Sequence, residues 1–160
     1  MTTQDSPIAI GTRFRFLDSI MAVRADKDGT AGQVGVVECW AERGHRSPMM
    51  IHSDEDDGYL VLDGELKVWI DDDPPFAHGP GGFAWVPRGT KQAYAVSSAT
   101  AHYLCINTPG GLENFFVTMG APAIGEELPR GGSPADDEVQ YVRDHAPDWG
   151  ITITGPPPEL

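Results

Sequence analysis

The residues of this chain whose types and spacing suit chemistry lie between Gly44 and Gly64, where His45, His52 and the acidic run Asp54 to Asp57 fall within one short segment. His52 with a carboxylate of that run as its partner is suited to general acid–base work near neutral pH, because the carboxylate orients the ring and raises its pKa. Met50 stands two positions before His52, so on a strand the two side chains point to the same face. A thioether is a soft donor that suits copper(I), and a hard divalent ion gains little from it. Met50, Tyr59, Val61, Trp85 and Tyr94 are candidates for the apolar and aromatic wall of a small-molecule site. For each of these five the alternative is plain core packing.

Short strands are the elements that must position these groups. Residues 13–23 and 33–40 are rich in β-branched and aromatic side chains and read as two antiparallel strands, separated by Asp28-Gly29 and Gly32. Gly58 to Leu62 and Glu65 to Ile70 flank Asp63-Gly64, a pair able to supply the two positive φ angles of a type I′ turn, so a tight hairpin is expected there. Phe83 to Val86 and Ala93 to Val96, around the turn Pro87-Arg88-Gly89, and Ala101 to Asn107 continue the series. The runs 71–75 and 78–82 are loops, since proline removes donors and glycine adds freedom. Evenly spaced short strands with turn chemistry between them indicate a sandwich or barrel.

The pattern changes after Thr108-Pro109-Gly110-Gly111. Leu112, Phe115, Phe116 and Met119 share one helical face, and Gly120 followed by Pro122 ends that helix. A second helix is expected with Ser133 as N-cap, Pro134 at the first helical position and an apolar stripe of Val139, Val142 and Ala146 packed on the sheet. Residues 125–132 form a loop that could move, and Ile151 to Ile153 make a terminal strand before an extended Gly155-Pro156-Pro157-Pro158 tail. The expected fold class is all-β with minor α, in one domain spanning residues 1–160. Its barrel core covers about 10–108 and its C-terminal helical extension 109–160.

Composition narrows the partners. A formal net charge of −13, with only eleven Lys and Arg, argues against nucleic acid and against an anionic membrane surface. Polar residues follow Met1 and no apolar run reaches membrane length, so the expectation is a soluble, cytoplasmic protein. Cys39 and Cys105 lie in strand-like apolar surroundings and read as two reduced, buried thiols. His78 and His145 read as solvent-facing, His102 as a satisfied sheet histidine, and His45 as one of the many surface histidines that bind nothing.

At Gly44 to Gly64 and Gly81 to Val96 the chain resembles the cupin superfamily, whose two motifs each form a hairpin of a small jelly-roll barrel. It looks most like the single-domain, quercetin-dioxygenase-like cupins, through Gly-Tyr-Leu-Val-Leu-Asp-Gly-Glu-Leu, Phe-Ala-Trp-Val-Pro-Arg-Gly-Thr, Thr-Pro-Gly-Gly-Leu-Glu-Asn-Phe-Phe and the Gly-Ile-Thr-Ile-Thr-Gly-Pro-Pro-Pro end. Counting the first motif, G-x5-H-x-H-x4-E-x6-G, from Gly44 puts its histidines at Met50 and His52, its Glu at Asp57 and its last Gly at Gly64. Counting the second, G-x5-P-x-G-x2-H, from Gly81 keeps Pro87 and Gly89 and puts Gln92 at the last histidine. The resemblance implies that Gln92 faces Met50 and His52, with one of four ligand positions unchanged.

Three readings follow. The first is a metal-independent enzyme of isomerase or cyclase type, using His52, Asp57 and Gln92 on an aromatic or polyketide-like molecule in a bacterial natural-product pathway, with no cofactor. The second is a quercetinase-like dioxygenase holding Fe, Mn, Ni, Cu or Zn through His52, Asp57 and Gln92. The third is a non-catalytic small-ligand or scaffold cupin. A homodimer is implied by the same resemblance.

Overall fold

A computed structural model describes residues 9–125 and 127–160. The first six strands are β1 (Arg13–Phe16), β2 (Ser19–Ala25), β3 (Gly35–Glu42), β4 (Met49–His52), β5 (Asp56–Asp63) and β6 (Leu66–Ile70). β7 (Phe76–His78), β8 (Phe83–Val86), β9 (Lys91–Val96) and β10 (Thr100–Thr108) follow, then helix α1 (Leu112–Met119), the short β11 (Ala121–Pro122), helix α2 (Asp136–His145) and β12 (Ile151–Gly155). All pairings are antiparallel, in a seven-stranded sheet of order β11-β1-β2-β3-β10-β5-β8 and a five-stranded sheet of order β12-β4-β9-β6-β7. The fold is thus mostly β, a sandwich-like jelly roll with two C-terminal helices. Among the described residues no helix is long and apolar enough to cross a membrane.

Strict alternation builds the centre. Val37, Cys39 and Ala41 of β3 and Ala101, Tyr103, Cys105 and Asn107 of β10 are buried, while the residues between them on each strand are half-buried. Tyr103 sits opposite Cys39. The two cysteines are free and buried, their sulfurs 4.0 Å apart. The same period places Met50 and His52 of β4 inward, with Gln92 directly opposite Met50 in the neighbouring strand β9. Gln92 is therefore a lateral neighbour of Met50 in one sheet, not a residue facing it across the interior.

Local signals misled at two turns. Residues 13–23 are not one strand but the hairpin β1–β2, which reverses at Leu17-Asp18 with Leu17 at φ 51° and with Ser19 donating to the Phe16 carbonyl at 2.7 Å. Asp18-Ser19 is the one turn signal within an otherwise strand-prone run. Asp63-Gly64 makes no hairpin: β5 pairs with β10 and β8, β6 with β9 and β7, and of the two turn residues only Gly64 has a positive φ, 75°. The pair carries the chain from one sheet to the other, so tightly that a Cβ on Gly64 would lie 2.1 Å from the Thr100 carbonyl oxygen. Pro87-Arg88-Gly89 makes the same kind of crossing between β8 and β9.

α1 begins and ends where its periodicity places it, burying Leu112, Phe115 and Phe116. α2 starts at Asp136 with Ala135 at the N-cap and no side-chain cap, so Ser133 and Pro134 precede the helix and do not start it. Three acidic residues in its first turn, Asp136, Asp137 and Glu138, complement the positive end of the helix dipole instead. α2 buries no residue fully. It is tied down by an Arg15–Glu138 ion pair at 2.7 Å and by Val142, which packs on the core. In the segment 125–132, Glu126 lies outside the described residues, while Gly131 and Gly132 are held against Glu42 and Asp18.

Candidate functional site

Both sheets contribute to one cluster of buried polar groups. β4 ends in His52; the chain turns through Glu55 into β5, which carries Asp57 and Tyr59 inward; β9 brings Gln92 and β10 brings Asn107. All six are at most 6 % exposed. Burial of so many polar groups is tolerable only if they satisfy one another. Asp57 does most of this: its Oδ1 accepts from the Asn107 amide at 2.5 Å and its Oδ2 from the Gln92 amide at 2.5 Å. Gln92 in turn accepts from the Tyr59 hydroxyl at 2.6 Å. Burial, and then the Asp57 charge, pushes the Tyr59 hydroxyl well above its ordinary pKa, so it remains a donor.

His52 is gripped from one side. Its Nδ1 lies 2.8 Å from Asp57 Oδ2 and 3.2 Å from Glu55 Oε1, within ion-pair reach of both. Its Nε2 faces only the Met50 sulfur, at 3.3 Å. Burial opposes a charge on the ring, but hydrogen bonds and attraction from Asp57 and Glu55 more than reverse this and push the pKa up to about 9. At neutral pH His52 is an imidazolium held between two carboxylates, its other N–H directed at a weak acceptor.

The positions that resemble metal ligands do not converge as donors. Gln92 turns its NH2 towards Asp57 and its oxygen towards the Tyr59 hydroxyl, so both ends of its amide are already engaged. Asp57 lies on the Nδ1 side of His52 while Met50 lies on the Nε2 side. A different trio, His52, Glu55 and Asp57, brings ligand atoms within 4.8 Å of one another and is the one such group among the described residues. Its two carboxylates and one nitrogen match a divalent cation in charge and donor type, and Glu55 Oε1 is buried without a hydrogen-bond partner.

His52, Asp57, Tyr59 and Asn107 of this cluster form the polar end of a cavity of about 80 Å³. Met50, His52, Asp57, Tyr59 and Tyr94 line it; Gln92 and Val61 lie behind the wall, Val61 as core packing. Trp85 requires correction: Ala84 and Val86 point inward along β8, so Trp85 points out, 43 % exposed and stacked beside Phe83. The apolar end comes from outside the two motif segments: Phe16 and Leu17 at the first hairpin, Phe115 and Phe116 of α1, and Val142 of α2. His45 also requires correction, being a buried member of this wall, 1 % exposed and paired with Asp18. His102 is satisfied by Glu38 at 2.6 Å and stacked on Trp40 outside the cavity.

Sequence reasoning missed Glu55, Asn107 and the Asp18–His45 pair. Asn107 could have been found from alternation along β10, and Glu55 from its place in the acidic run beside His52. Nothing local joins Asp18 to His45, because 27 positions separate them.

A family model described as "Cupin domain" matches residues 36–107. Over 133 residues, 83% of this chain, the sequence is 29% identical to quercetin 2,3-dioxygenase of Bacillus subtilis (strain 168), and the match spans 38% of that relative's length. Among solved structures, KdgF from Halomonas sp. aligns with a TM-score of 0.54 at 14% identity, over 61% of this chain and 85% of its own. The cupin domain of Schizosaccharomyces pombe Cnp3 aligns with a TM-score of 0.53 at 14% identity, over 65% and 73% respectively. The two structural matches speak for the fold alone.

Proposed function

We propose that this chain, a cupin with its family domain at residues 36–107, binds a largely apolar, aromatic or polyketide-like small molecule and remodels it by acid–base chemistry of isomerase or cyclase type. The observation that carries this reading is the orientation of His52: two buried carboxylates hold Nδ1, while Nε2 meets only a thioether at 3.3 Å. A sulfur in place of a stronger acceptor leaves the Nε2 proton free for a ligand in the cavity. Asp57 keeps the ring oriented and charged, and Gln92 and Asn107 keep Asp57 in place. The apolar wall excludes water and strengthens these interactions. A single domain over the chain, a homodimer, a cytoplasmic setting and a place in bacterial natural-product biosynthesis belong to the same proposal.

A second reading is favoured by the cluster of His52, Glu55 and Asp57, whose ligand atoms lie within 4.8 Å of one another, and by the likeness to a quercetin 2,3-dioxygenase. In it His52, Glu55 and Asp57 hold a divalent metal, which would supply Lewis-acid and dioxygen chemistry when bound. Elemental analysis after incubation with Fe, Mn, Ni, Cu and Zn, paired with dioxygen uptake in the presence of quercetin, separates the two. The acid–base reading expects no stoichiometric metal and no uptake. Stoichiometric metal lost in His52→Ala, together with dioxygen consumption, would overturn it in favour of the second.

A further inference from the structure

Beside the inner cavity lies an outer one of about 170 Å³, between α2, the residues before β4 and the C-terminal tail. Two arginines from separate elements line it. Arg46 is set in place by a backbone bridge to Ala95, and its Nη1 donates to the Pro158 carbonyl at 3.0 Å, a neutral partner that leaves the guanidinium charge uncompensated. Arg143 comes from the last turn of α2. Among the described residues neither forms an ion pair, whereas Arg15, Arg24, Arg88 and Lys91 each have a carboxylate partner. The remaining charged side chain of the lining is Asp18, and it is already engaged. It is 4 % exposed, one of its oxygens accepts from His45 Nδ1, and the other accepts from the Gly132 N–H at 2.7 Å. Burial opposes its charge, but these hydrogen bonds more than offset that and hold its pKa below the ordinary carboxylate value. The lining thus carries one net positive charge in a chain whose formal total is −13. Like charges gathered at one cavity repel, and an anion held by both removes that cost.

We propose that the outer cavity is a binding site for a carboxylate carried on an apolar chain. The planar guanidinium forks of Arg46 and Arg143 match a carboxylate in shape and charge, and a monoanion balances the lining where a phosphate dianion would exceed it. Leu17, Val139, Val142 and Ile153 take the chain. The site lies outside the cluster around His52, and the proposal does not rest on the acid–base reading made there.

Hexanoate and hexanamide, alike in size and different in charge, are the probes, titrated at pH 7 into 15N-labelled protein and followed by two-dimensional NMR. The wild type is expected to bind hexanoate about tenfold more tightly than hexanamide, the worth of one charge-assisted hydrogen bond. Shift changes are expected at the amides of Gly44, Gly132 and Val139, which line the outer cavity and not the inner one. Both arginines are exposed, so Arg46→Gln with Arg143→Gln keeps the fold; it is expected to abolish the preference while leaving hexanamide binding unchanged. His52→Gln is expected to bind both probes as the wild type does. Absence of saturable hexanoate binding overturns the proposal, as does a preference that persists in the double variant. Shift changes confined to Tyr59 and Phe116, with the preference lost in His52→Gln, overturn it too, because they place the carboxylate on the His52 imidazolium; that result leaves the acid–base reading standing.

Discussion

Asp57 is the residue on which the site's polar groups converge, since it accepts from Asn107 and Gln92 and lies against His52. Asp57→Ala leaves a buried imidazolium and two buried amides without their acceptor, and is expected to cost about 3–5 kcal/mol, read from urea unfolding. His52 gives the site a pH signature. Its pKa is about 9 in the folded protein against an ordinary 6.5. A raised pKa contributes stability that is complete below about pH 6.5 and is lost as pH rises through about 9, on the order of 3 kcal/mol in total. Unfolding midpoints measured across that window should fall for the wild type and stay flatter for His52→Gln. Met50→His with Gln92→His restores two nitrogen donors at adjacent, register-paired positions beside His52. That double variant is expected to take up stoichiometric metal, checked by elemental analysis. At this scale the motifs of the resemblance singled out Met50, His52, Asp57 and Gln92, but the contacts of Asp57 were not legible, because its partners His52, Gln92 and Asn107 come from three other strands.

Among the elements, α1 is anchored by a residue that its amphipathic pattern would assign to solvent. Glu113 is 1 % exposed, accepting from the Lys27 N–H at 2.8 Å and the Gly111 N–H at 2.7 Å. It fits only because β3 begins with Gly35, where a Cβ would stand 2.1 Å from Glu113 Oε2. Gly35→Ala is therefore expected to destabilise by about 1–3 kcal/mol, visible as a lower Tm, although the position reads as an ordinary strand start. α1 was legible because its periodicity and its glycine stop agree. The β5–β6 connection was not, because Asp63-Gly64 specifies a tight reversal without specifying which strands it joins. α2 also began two residues later than its Ser-Pro signal suggests, since Asp136 to Glu138 stabilise its first turn without a side-chain cap.

For the whole molecule, a net charge of −13 on 160 residues makes self-repulsion a standing cost of compactness. Raising the salt from low ionic strength to about 0.15 M should screen it and raise Tm, as differential scanning calorimetry would show. Fold class, the number of helices and the turn-rich strand series were determined by the sequence itself, because alternation and glycine–proline punctuation are local and repeat along the chain. The two motif segments likewise fixed which side chains share the face of a strand. Only the tertiary structure decided that Trp85 points outward, that His45 is buried on Asp18, that Glu55 and Asn107 join the site, and that α1 and α2 close the apolar end of the cavity. Each of these depends on which strands become neighbours, and strand pairing brings together residues far apart in the chain whose contact no local pattern encodes.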